Sequence, residues 1–230
     1  FQAEDGIRYS STSRGLGDVY KRQGKSTLVN LVPRFYDVSG GSIKINGKDI
    51  RDYDVLELRD KLGVIPQKAV LFSGTIADNI RFGKKDASDE EVEYAAKVAQ
   101  AYPFIMEKEN GFDEEISEGA TNVSGGQKQR LSIARALVRK AQIYIFDDSF
   151  SALDFKTDAI LRKELKKEMT ESIMLVVAQR ISSIMEADQI IVLNEGKVVG
   201  KGTHHQLLKE CQIYHEIATS QLSEEELANA

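Results

Sequence analysis

Residues 123–137 read Val123-Ser124-Gly125-Gly126-Gln127-Lys128-Gln129-Arg130, then Leu131-Ser132-Ile133-Ala134-Arg135-Ala136-Leu137. Two successive glycines let a backbone approach a ligand closely, and a long helical pattern begins directly after them. A helix start there turns free N–H groups and the positive end of the helix dipole toward an anion. A serine N-cap on a glycine-rich turn accounts for Ser124-Gly125-Gly126 taken alone. The residues that follow, Gln127-Lys128-Gln129-Arg130 and Ala134-Arg135-Ala136-Leu137, set the whole stretch apart.

Outward from this stretch, continuous apolar runs appear at Ile143–Phe146, Met174–Ala178 and Ile190–Leu193. Unbroken runs of this kind fit parallel strands covered on both faces. Between the first two, Thr157–Met169 places Leu161, Leu165 and Met169 at spacings of four, a helix with one apolar stripe. The alternation predicts an α/β fold with a mostly parallel sheet. Residues 88–139 are almost wholly helical in pattern and read as a helical subdomain inserted into that core, while His204–Gln221 reads as one or two closing helices.

The 230 residues are 41% hydrophobic, enough to bury a sizeable core without disulfides. The single cysteine, Cys211, has no internal partner and fits a reducing compartment. With 31 Lys+Arg against 36 Asp+Glu the net charge is −5, which argues against nucleic acid as a partner. No apolar run approaches the roughly 18 residues of a membrane span. The three histidines, His204, His205 and His215, follow the last core strand and are expected at the surface rather than as ligands.

Gly24-Lys25-Ser26-Thr27 opens a helical pattern through Leu28 and Leu31. Gly-Lys-Ser before a helix is the second half of a phosphate-binding loop, with lysine for the β/γ oxygens and the hydroxyl for Mg²⁺. Such a triplet arises by chance in about one chain in ten of this length. The full pattern also needs glycine at position 19, where this chain has Val19. An ordinary exposed helix start fits the same residues.

Taken in order, these segments resemble the motifs of ATP-binding cassette (ABC) ATPases over about residues 24–222, with residues 123–130 as the signature motif. Gly63-Val64-Ile65-Pro66-Gln67 is similar to the Q-loop, and Leu71-Phe72-Ser73-Gly74-Thr75-Ile76 with Asn79-Ile80 to its continuation in exporters. Ser117-Glu118-Gly119-Ala120 sits where exporters contact their membrane domain, Ile143–Asp147 resembles a Walker B strand, and Ser151-Ala152-Leu153-Asp154 the D-loop. Asp154 reads equally as the N-cap of the next helix.

The resemblance implies a P-loop NTPase (RecA-like) α/β core over 24–83 and 140–222, a helical subdomain over about 84–139 and a tail at 223–230. It implies ATP held by Gly24, Lys25, Ser26, Thr27 and Gln67, and Mg²⁺ held by Ser26, Gln67 and Asp147. Ser124, Gly125, Gly126 and Gln127 would face a nucleotide bound to a partner subunit, and Asp154 would touch that subunit.

Two positions depart from the family pattern. Where the family has a glutamate that polarises water, this chain has Asp148, one methylene shorter. Where the family has a histidine on the γ-phosphate, it has Gln179, which donates a hydrogen bond but carries no charge. Misplacing a general base forfeits roughly 10²–10⁴-fold in rate. The pair resembles the degenerate-site subunit of a heterodimeric multidrug-type exporter, which implies weak intrinsic ATPase activity. It also implies a partner with intact Glu and His, a transmembrane domain normally on the same chain, and a place on the cytoplasmic face of the membrane. A soluble ABC ATPase of DNA repair or translation, and a non-catalytic regulatory subunit, are the alternatives.

The first 23 residues show no periodicity and resemble a translated sequencing or cloning adaptor fused to an N-terminally truncated cassette. On that reading the strand feeding the phosphate loop and the adenine-stacking aromatic are missing.

Overall fold

A computed structural model describes residues 24–223 and Leu227; the leader and Val19 lie outside them. In chain order the helices are α1 (Lys25–Leu31), α2 (Val55–Asp60), α3 (Ile76–Arg81), α4 (Asp89–Val98), α5 (Tyr102–Met106), α6 (Gly125–Leu137), α7 (Phe155–Glu168), α8 (His204–Glu210) and α9 (Gln212–Gln221). The strands are β1 (Lys44–Ile45), β2 (Lys48–Asp49), β3 (Leu62–Ile65), β4 (Gly74–Thr75), β5 (Glu115–Ile116), β6 (Ile143–Asp147), β7 (Ile173–Val177), β8 (Ile190–Asn194) and β9 (Lys197–Gly202). Among the described residues, no helix is long and apolar enough to cross a membrane. The chain divides into two compact units, one of Leu56–Val177 and one from the described parts of Phe1–Val55 and Ala178–Ala230.

The first unit is built on a parallel sheet of order β3-β6-β7, with Ile65 opposite Phe146 and Asp147 opposite Val177. Every residue of β6 is buried, as its continuous apolar run requires of a central strand, whereas β7 is mostly half-buried. Helix α7 turns Leu161 and Leu165 inward at the predicted spacing and ends against buried Met169. Full burial of each such leucine contributes on the order of 2 kcal/mol. Helix α6 is buried on most of its circumference (Leu131, Ile133, Ala134, Ala136), so it runs through the core.

The stretch 88–139 holds α4, α5 and α6, and also β5, a two-residue strand paired antiparallel with β4. So short a strand carries no readable alternation. Helix α4 starts on a reciprocal cap, with Ser88 Oγ accepting from the Glu91 N–H and Glu91 accepting from the Ser88 N–H. The same Glu91 carboxylate takes Lys84 Nζ at 2.7 Å and Lys140 Nζ at 2.9 Å. These partners, Lys84 foremost, hold its pKa down at about 2. A depressed carboxylate pKa stabilises the fold above its ordinary value and loses that contribution as pH falls through the folded value. The thermal midpoint is therefore expected to drop between pH 4.5 and about 2. Glu91→Gln removes that part of the slope, read from melting curves across the range.

In the other unit, β8 pairs antiparallel with β9, not within a parallel sheet as its apolar run predicts. The reason is local: Glu195 and Gly196 both take positive φ, 49° and 76°, which closes a two-residue hairpin. Below it, α8 and α9 bury Leu207, Cys211, Tyr214 and Ala218 with Ile190 and Val192. His204 corrects the expectation of surface histidines, since it is only 3% exposed. Its Nδ1 lies 2.7 Å from the Tyr214 hydroxyl. Burial lowers the His204 pKa and pushes the Tyr214 phenol up to about 12. A histidine that pairs with a tyrosine inside a helix hairpin has no distinguishing mark in a linear sequence.

Candidate nucleotide site

Ligands of open α/β sheets gather at the carboxyl ends of the strands. There the chain leaves β3 through Pro66-Gln67 and leaves β6 through Asp147-Asp148-Ser149. Gln67 Nε2 donates to Asp148 Oδ2 at 2.9 Å, joining two residues 81 apart in sequence. Ser149, fully buried, donates from Oγ to the Ile65 carbonyl at 2.9 Å and clamps the two strand ends together.

Asp147 and Asp148 are 8% and 7% exposed. Two carboxylates this far from water are costly unless they meet donors or a cation. Asp148 sits at φ 49°, a left-handed conformation that aspartate tolerates better than most residues. Its N–H still reaches the Val177 carbonyl at 2.9 Å, and its own carbonyl accepts from Ser151 Oγ at 2.8 Å. The turn that aims this carboxylate is thus fixed at both ends by backbone.

The donor set fits Mg²⁺. With the Gln67 nitrogen engaged by Asp148, the Gln67 amide oxygen and the Asp147 carboxylate are both hard oxygen donors. Mg²⁺ commonly takes one or two carboxylates and fills its octahedron with waters and substrate phosphates. Among the described residues no group of three or more His, Cys, Asp or Glu side chains could hold a metal ion.

Helix α6 starts at Ser124, whose Oγ accepts from the Gln127 N–H at 3.2 Å while Gln127 Oε1 accepts from the Ser124 N–H at 2.9 Å. The predicted serine cap is present, and it commits the Gln127 side chain to the helix start. Gly125 and Gly126 are not needed by the fold. A Cβ on Gly125 meets nothing within 4 Å, and one on Gly126 makes only ordinary contacts with Ala152 O and Leu153. Neither has positive φ. Glycine is a poorer helix former than alanine, less so in the first turn, and no packing contact calls for either one. Asp154 caps α7 by accepting from the Thr157 N–H at 2.9 Å, and that bond lowers its pKa.

Gly24–Thr27 and Gln179 lie in the other unit. Gly24 caps α1 in the left-handed conformation, φ 84°, and Lys25, Ser26 and Thr27 form the first turn. Gln179 is exposed two residues beyond β7, and its carbonyl accepts from Gln221 Nε2 at 3.0 Å.

Parallel strands whose carboxyl ends carry an amide–carboxylate pair fit a nucleotide-binding domain of the P-loop NTPase class. The chain belongs to the ABC transporter family, whose pattern matches residues 23–151. An uncharacterised ABC transporter ATP-binding protein of Mycobacterium tuberculosis is 45% identical over 201 residues, covering 86% of this chain and 34% of the relative. A Staphylococcus aureus protein, provisionally named a multidrug export ATP-binding/permease protein, is 43% identical over 86% of this chain and 34% of its own length. The solved structure of a bacterial Atm1-family ABC exporter with ATP bound superposes with a TM-score of 0.85 at 39% identity, over 88% of this chain and 36% of that one. This chain therefore spans about a third of the length of the relatives it matches.

Proposed function

We propose that this chain is the ATP-binding domain of an exporter-type ABC transporter whose own ATP site is degenerate and whose signature completes the competent site of a partner subunit. The observation that carries the reading is the Gln67–Asp148 contact at the strand ends, in which the shortened carboxylate is held by the loop amide at 2.9 Å. The exporter class rests on the relatives, one named for multidrug export and one solved as an Atm1-family exporter.

In this reading Lys25 takes the β/γ-phosphate oxygens, and the amides of α1 receive the phosphate charge. Ser26, Gln67 and, through water, Asp147 would hold Mg²⁺, which supplies charge neutralisation on the phosphates. Asp148 and Gln179 occupy the positions that orient water and contact the γ-phosphate. With an aspartate there, ATP stays bound and turns over slowly. Asp154 and Ser124–Gln127 face the partner, with Gly125 leaving its backbone open to close approach. An exposed aromatic pair, Phe72 and Phe82 with ring centroids 4.5 Å apart, fits a contact for the transporter's membrane domain.

The test is to measure ATP affinity and turnover separately on the chain. Micromolar binding with turnover at least tenfold below that of an assembly with Glu at this position supports the reading; fast turnover by the isolated domain overturns it. Gly125→Ala gives an independent check. The thermal midpoint is expected to stay level or rise, because the Cβ has room, while the partner-site ATPase falls at least tenfold.

A further inference from the structure

We infer that Gln129 is a positioning residue for Gln67, tying the signature helix α6 to the loop that carries the Gln67–Asp148 contact. Gln129 is 1% exposed, on the face of α6 that also presents Ile133 and Ala136 to the core. An amide on such a face is destabilising unless it is hydrogen-bonded. Its Nε2 donates to the Pro66 carbonyl at 3.2 Å, across 63 residues of sequence.

Three consecutive residues, the last of β3 and the two after it, are thereby anchored to three different side chains. The Ile65 carbonyl is held by Ser149, the Pro66 carbonyl by Gln129, and the Gln67 side chain by Asp148. Pro66 has a fixed φ, and its carbonyl shares one planar peptide unit with the nitrogen and Cα of Gln67. Fixing that carbonyl fixes the plane from which the Gln67 side chain departs. A Gln67 amide that must meet a carboxylate at 2.9 Å has little tolerance for rotation of this plane.

This inference deepens the function proposed above and, in its link between sites, rests on it. Ser124–Gln127 open the helix that bears Gln129. A displacement of that helix start by a nucleotide on the partner passes through Gln129 to Pro66, and so to the Gln67–Asp148 contact of the chain's own site.

The decisive experiment needs no nucleotide. A double-mutant cycle of Gln67→Ala and Asp148→Ala, read as the urea-unfolding constant of the full chain, reports the coupling between those two residues. The cycle is then repeated in the Gln129→Met background, which keeps side-chain volume but removes the donor. The coupling is expected to be about 3–10-fold in the unfolding constant and to fall to within a factor of about 1.5 of unity with Gln129→Met. An unchanged coupling overturns the inference, because a purely structural role shifts all four corners of the cycle equally. Gln129→Asn, whose amide falls a methylene short of Pro66, gives the same loss and serves if the methionine variant does not fold. In an assembly that hydrolyses ATP at this site, Gln129→Met lowers kcat and leaves KM for ATP unchanged. Absence of that split, where Gln129→Met does abolish the coupling in the cycle, counts against the proposed function rather than against the Gln129–Gln67 link.

Discussion

Asp148→Glu combined with Gln179→His is expected to raise ATP turnover at this chain's own site by roughly 10²–10⁴-fold, in an assembly whose facing signature is intact. The added methylene carries the carboxylate about one bond length further, to where a water needs a contact of about 2.6–3.2 Å. It also takes the carboxylate out of register with Gln67, whose amide holds the shorter side chain at 2.9 Å. The histidine adds a group able to carry charge where Gln179 cannot. The gain has a cost in stability, since position 148 lies at φ 49° and glutamate is less tolerant of that region than aspartate. That cost is about 1 kcal/mol, visible as a lowered melting temperature. Steady-state turnover of the single and double variants, beside their melting curves, checks both halves. No rise in turnover in the double variant defeats the assignment of Asp148 and Gln179 as the defect.

The second large effect is expected at Arg135. Its guanidinium donates from Nε to the Asn79 carbonyl, from one Nη to the Val70 carbonyl and from the other to Asn79 Oδ1, each at 2.8 Å. Its Cζ lies 5.0 Å from the Phe72 ring centroid and 5.6 Å from that of Phe82. Asn79 in turn binds both the N–H and the carbonyl of Phe72, at 2.9 and 2.8 Å. One side chain of α6 therefore holds the loop and helix that display the exposed aromatic pair. Arg135→Ala removes the donor to the Asn79 and Val70 carbonyls, leaves Asn79 Oδ1 with the Phe72 N–H alone, and is expected to cost about 3 kcal/mol. Arg135→Lys costs about 2 kcal/mol, because a point charge cannot span three acceptors in a fork. Urea unfolding with an unchanged m-value measures both. A loss below about 0.5 kcal/mol for the alanine variant rejects this account.

Helix α7 and strand β6 were legible because their signals are local. A spacing of four buries Leu161 and Leu165, and a continuous apolar run fills the centre of a parallel sheet. The cap at Ser124 and the helix opening at Gly24 follow from the same short-range chemistry. The run at Ile190–Leu193 misled, because pairing is decided by the turn that follows, and Glu195-Gly196 closes a hairpin. His204 misled for a related reason, since its place inside α8 and α9 depends on Tyr214 ten residues away.

By itself the sequence determined the α/β class, the order of the motifs and the residue types at each chemical position, including the aspartate at 148 and the glutamine at 179. Periodicity, capping and motif spacing act over a few residues, so a linear reading reaches them. Only the tertiary structure decided that Gln67 meets Asp148, that Gln129 reaches Pro66 and that Arg135 braces Phe72 and Phe82. These contacts join residues 53–81 positions apart, and the strand register and helix packing that bring them together are properties of the whole folded unit.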